Sequence, residues 1–105
     1  MNEPVVLVYT LFGSAEDAGR IARQLVEERL AACANIGAPC TSIYKWKGAI
    51  EEAAETPALF KTSPARSEAL QARLAELHDY DLPAIVKVDG KASAAFAGWV
   101  GEQVQ

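Results

Sequence analysis

Histidine occurs once in this 105-residue chain, at His78, and cysteine only twice, at Cys33 and Cys40. That scarcity excludes a structural zinc site of the usual kind, which needs four thiolate or imidazole ligands in paired spacing. The two cysteines lie ahead of no second pair and behind no secretory leader, so reduced thiols are expected rather than a disulfide. Long apolar runs are also missing. Nothing approaches the roughly 20 residues that span a bilayer, so no direct membrane insertion is expected. Positive charge is short and scattered: ten Lys and Arg stand among fourteen Asp and Glu, for a net charge of −4. Nucleic-acid binding runs on clustered bases that displace counterions, so a nucleic-acid partner is not expected. Met1-Asn2-Glu3-Pro4 is not basic, and the apolar residues after it read as a strand rather than a leader, which makes a cytoplasmic location the expectation.

What the chain does have is hydrophobic pattern. Half of its residues are hydrophobic, and a chain of this length buries roughly 60–70% of its unfolded surface on folding. Residues 1–105 are therefore expected to form one domain. Val5 to Phe12 is nearly continuous apolar sequence, as in a central strand. Ser14-Ala15-Glu16-Asp17 resembles a capping box, and Ala18, Ile21, Ala22, Leu25 and Val26 then recur at helical spacing, predicting a helix to about Leu30. From Cys40 the period changes to two: Cys40, Ser42, Tyr44 and Trp46 share one face of a strand, Thr41, Ile43, Lys45 and Lys47 the other. Gly48 marks a turn, and Ile50 to Thr62 reads as the returning strand, with Pro57 at an edge, bulge or break. Ser63-Pro64 predicts a helix start with the stripe Leu70, Leu74 and Leu77. Ala84 to Val88 is the last strand, ended by Asp89-Gly90, and Phe96, Trp99 and Val100 give a final helix its apolar side.

The order β-α-β-β-α-β-α predicts an α+β, ferredoxin-like split β-α-β sandwich with an added C-terminal helix. That architecture hosts many functions, so the sites must decide. RNA-recognition modules need a glycine and paired aromatics in the strand that here reads ALFKTS. Acylphosphatase-like enzymes need an anion-cradling loop with an arginine where this chain has GSAED. Both are excluded.

Four segments, in order, carry a resemblance: LAACANI (Leu30 to Ile36), SIYKWKG (Ser42 to Gly48), LFKTS (Leu59 to Ser63), and the His-x-Tyr-x-x-Pro run from His78 to Pro83. Together they resemble the CutA family of divalent-cation tolerance proteins over essentially the whole chain. The resemblance implies a non-enzymatic homotrimer assembled through the long central hairpin, with weak binding of copper(II) or another divalent cation in metal homeostasis. It implies an inter-subunit cleft formed by Asn35, Tyr44, Trp46, Lys61 and Tyr80, with His78 and Cys33 as metal ligands. The chain departs from the family pattern at Tyr9 and Leu77, where some members carry Cys and His, and at Asp79 and Ala84, where Pro and Glu are common.

Each residue has a plainer reading as well. His78 closes a helix, where an imidazole meets the dipole. Cys33 can be a small buried hydrophobe, and Tyr44 and Trp46 can be interface or core. Lys61 lies either on a solvated strand face or in a cleft that accepts an anion. Two other function classes stay open: a PII-like trimeric sensor of a small molecule or anion, and a trimeric scaffold for an unidentified protein partner.

Overall fold

The structure is a computed structural model that describes residues 1–105. Strand β1 (Asn2–Phe12) leads into helix α1 (Ala15–Glu27), followed by a short β2 (Cys33–Ile36), β3 (Cys40–Trp46) and the long β4 (Ala49–Thr62). A 3₁₀ turn (Pro64–Arg66) precedes α2 (Ser67–Leu77), then β5 (Ile85–Ser93) and α3 (Ala94–Gln103) complete the chain. The sheet runs β2-β4-β1-β5, all antiparallel, and β3 pairs with the free half of β4. This is an α+β fold with an antiparallel sheet and three helices, in which the second strand of the split β-α-β pattern is broken in two.

The break explains Pro57. Gly37 N–H donates to the Pro57 carbonyl at 2.9 Å, and Ile36 and Cys40 pair with Ala58 and Glu55 on either side of it. In an antiparallel ladder a residue's N–H and C=O point the same way. The missing donor of Pro57 therefore faces the gap where β2 gives way to β3, and no ladder bond is lost.

Alternation along β1 and β4 sorts the two sheet faces. Val6, Val8, Thr10 and Phe12 stand opposite Thr62, Phe60, Ala58 and Thr56, and all eight are buried. Val6, Val8, Phe12, Ala58 and Phe60 pack with Ala18, Ile21, Ala22 and Leu25 of α1 and with Leu70 and Leu74 of α2 in the main core. The other face carries Leu7, Tyr9 and Leu11 opposite Lys61, Leu59 and Pro57. Only α3 lies on it: Val100 and Val104 pack with Ala32, and Lys61 Nζ sits 5.7 Å from the centre of the Phe96 ring. Tyr9, Val86 and Val88 stay exposed there.

Beyond the core, β3 and β4 project as an arm. Fourteen residues in β4 span about 43 Å at strand rise, close to the molecule's 46 Å long axis. The 14.4 Å radius of gyration exceeds the roughly 13 Å of a compact domain this size. Lys47 (φ 50°) and Gly48 (φ 85°) close the arm with the two left-handed residues that a tight hairpin turn demands.

Several expected boundaries move. Helix α1 stops at Glu27 rather than Leu30, because Arg29 turns left-handed (φ 62°) and Leu30 and Ala31 both return their N–H groups to the Leu25 carbonyl. Val26, expected in the buried stripe, is exposed. Cys33–Ile36, past the expected end of that helix and outside every expected strand, is a strand held by β4. Ser63 makes no capping bond, and α2 begins only at Ser67, after the 3₁₀ turn. Strand β5 runs through Asp89-Gly90 to Ser93, since Asn2 to Val5 continue the ladder beside it. The Ser14 cap is as expected: its hydroxyl accepts from Asp17 N–H at 3.1 Å.

Candidate functional site

The segment after α2 builds the site. His78 ends that helix and turns its ring inward, 8% exposed, to stack on Phe12 with ring centres 4.8 Å apart and planes 10° from parallel. Its Nδ1 accepts the Tyr80 N–H at 3.2 Å, so the neutral ring carries its proton on Nε2, which donates to the Leu11 carbonyl at 2.8 Å. Both nitrogens are thereby spent on holding the 78–84 segment against the end of β1.

Tyr80, placed by that clamp, reaches the arm. Its hydroxyl donates to Glu55 Oε2 at 2.8 Å. Burial, then the hydrogen bond and charge of Glu55, then the neighbouring Tyr44 and Asp17 push the phenol up to about 12. Glu55 shares its face of the hairpin with Tyr44, Trp46, Glu51 and Ala53, because Tyr44 pairs with Glu51, Trp46 with Ala49 and Ser42 with Ala53. This face and Tyr80, Asp81, Leu82 and Ala84 enclose an open groove of about 910 Å³ with Leu11 at its base. Tyr44 and Trp46 keep 41% and 46% of their surface exposed beside it.

The residues singled out in the sequence thus fall into two neighbourhoods. Tyr80, Tyr44 and Trp46 come together at the groove, and His78 lies behind Tyr80 with their ring centres 4.8 Å apart. Cys33 and Lys61 are register partners on the open sheet face, with Asn35 two positions on, opposite Leu59. The strand ladder, not the groove, positions those three. Glu55 was missed, and so was Leu11. Glu55 was findable, since strand alternation and the Gly48 turn put it on the Tyr44 face. A backbone carbonyl such as that of Leu11 leaves no trace in sequence.

A resident divalent cation needs several donor side chains that converge. No group of three or more His, Cys, Asp or Glu side chains converges within the chain. His78 has no free nitrogen, and Cys33 belongs to the other neighbourhood. The residues of one chain do not fit a divalent-cation centre.

Residues 6–103 match the family model for the CutA1 divalent ion tolerance protein. A divalent-cation tolerance protein CutA from Pyrococcus horikoshii is 42% identical over 85 residues, which is 81% of this chain and 82% of that protein. One from Thermus thermophilus is 41% identical over 101 residues, covering 95% and 96%. The crystal structure of divalent ion tolerance protein CutA1 from Ehrlichia chaffeensis superposes with a TM-score of 0.92 at 34% identity, covering 96% of this chain and 95% of that one.

Proposed function

The chain belongs to the CutA1 divalent ion tolerance family, and we propose on that basis that it serves divalent-cation tolerance as a non-enzymatic homotrimer. The observation that carries the trimer is the apolar surface left on one chain. Ile43 and Ile50, diagonal neighbours on the hairpin face opposite Tyr44 and Trp46, are 69% and 78% exposed, with Ile43 reaching the margin of the groove. The chain exposes 6311 Å², against about 5,700 Å² for a compact monomer of its mass. The outer edge of β3 pairs with nothing, and unpaired apolar edges are what a second copy covers.

An ion held by such an assembly draws on donors of more than one copy, because one chain does not converge them. This keeps copper(II) or another divalent cation as a weakly bound cargo rather than a built-in cofactor. The setting in this reading is cytoplasmic, in keeping with two free thiols, Cys33 and Cys40. No helix is long and apolar enough to cross a membrane.

Native mass spectrometry with and without equimolar copper(II) tests both halves. The expected spectrum shows a trimer, with any discrete copper on the trimer alone. A monomer at micromolar concentration overturns the assembly. Copper carried by single chains overturns the shared-donor account, and a trimer that takes none removes copper from the function.

A further inference from the structure

We infer that the groove between the hairpin and the 78–84 segment binds a small organic cation, an alkylammonium or quaternary ammonium compound. This deepens the trimeric reading above and rests on it only in taking the groove to stay open at the boundary between copies. Two kinds of group meet there. Tyr44, Trp46 and Tyr80 supply aromatic rings, and Glu51, Glu55 and Asp81 supply carboxylates. The chain's five ion pairs all lie elsewhere, so none of these three carboxylates is neutralised by Lys or Arg. Glu55 spends one oxygen on the Tyr80 hydroxyl and keeps the other.

The same acids do not converge tightly enough to hold a point charge such as a metal ion. A hydrated metal demands converging oxygens. A weakly hydrated organic cation instead needs aromatic faces within about 6 Å and a diffuse negative field. Charge complementarity selects it over a nucleotide or another anion, since Glu51, Glu55 and Asp81 line the groove against the single lysine Lys45, which pairs with Ile50. Lys47 sits at the rim, its Nζ 6.0 Å from the Trp46 ring centre. It shows that this ring accepts a cation, and it competes for the place.

Choline and its uncharged isostere 3,3-dimethylbutan-1-ol, titrated into the ¹⁵N-labelled protein, test the inference, with native mass spectrometry of the same sample reporting assembly. Choline is expected to shift the Trp46 indole and Tyr80 amide signals and to bind about tenfold more tightly than the alcohol. Glu55→Gln, which still accepts the Tyr80 hydroxyl, is expected to weaken choline about tenfold and leave the alcohol unchanged. Lys47→Ala is expected to tighten choline two- to threefold, by roughly the value of an exposed cation–π contact. Equal binding of both probes, or no choline binding, overturns the inference whatever the oligomeric state. Choline binding to a protein that is not a trimer upholds it and overturns the assembly instead.

Discussion

Replacing both Ile43 and Ile50 by serine should dissolve the assembly while leaving the fold intact. The two side chains neighbour each other on one face of the projecting arm, 69% and 78% exposed in the single chain, and neither belongs to the core cluster. Fully burying an isoleucine is worth about 2 kcal/mol, so covering what remains exposed is worth about 1.5 kcal/mol each, about 3 per chain and about 9 per trimer. At 1.4 kcal/mol per factor of ten, that lowers the three-chain association constant by between six and seven powers of ten. The half-dissociation concentration scales as the square root of that constant and so rises about two-thousandfold. If assembly covers only half of the exposed surface, the rise is still about fortyfold. Sedimentation velocity over a dilution series measures it, with far-ultraviolet circular dichroism confirming that the dissociated chain is folded. A midpoint within tenfold of the parent protein refutes the assignment of this face to a copy–copy contact.

Three further expectations follow from the site and the helices. His78→Ala strips partners from the Leu11 carbonyl and the Tyr80 N–H and removes the ring stacked on Phe12; urea unfolding should show a loss of about 3 kcal/mol. Tyr80 stays protonated to about pH 12 in the folded state, against an ordinary value of 10.0. Its contribution to stability is complete below pH 10 and is lost as pH climbs to 12, so one of the three tyrosines should ionise late in a titration at ultraviolet wavelengths, and Tyr80→Phe should abolish that late phase. Glu28, hydrogen-bonded by Arg73 (Nε 2.8 Å, Nη2 3.0 Å) and by Gln24, is held down at about 2. That contribution is present above pH 4.5 and disappears as pH falls toward 2, so Glu28→Gln should flatten the acid limb of melting temperature against pH.

Much of the architecture was legible because period and punctuation agree. The switch from a helical stripe in Ala18 to Leu25 to strict alternation from Cys40 names the element types, and Lys47-Gly48 places the hairpin turn. The misplacements share a physical cause. Cys33 to Ile36 carry no alternation of their own and become a strand only because Ala58 to Lys61 offer a ladder across the chain. Asp89 and Gly90 look like a terminus locally, but Val6 and Val5 pair with them, and Asn2 to Pro4 pair with Lys91 to Ser93 and extend both strands. Pairing over such separations overrides local preference, and no window of neighbouring residues contains it.

The site divides along the same line. Tyr44 and Trp46 could be assigned a common face from spacing alone, and the structure keeps them together. What spacing could not supply was the depth of His78. A histidine at the end of a helix looks available, yet this one is turned under the chain because Phe12 offers a flat ring to stack on and the Leu11 carbonyl, near the end of strand β1, needs a donor. Once both imidazole nitrogens are spent, the ring acts on function only by positioning: it sets Tyr80, and Tyr80 sets Glu55. The acid that a sequence reading passes over as one more glutamate of an acidic stretch then becomes the charged wall of the groove. Substituting His78 should therefore disturb choline binding through the displacement of Tyr80, and Tyr80→Phe, which keeps the ring in place, should disturb it less. If His78→Ala left the groove's choline affinity untouched while destabilising the fold, the chain of support from Leu11 to Glu55 would be broken at its first link.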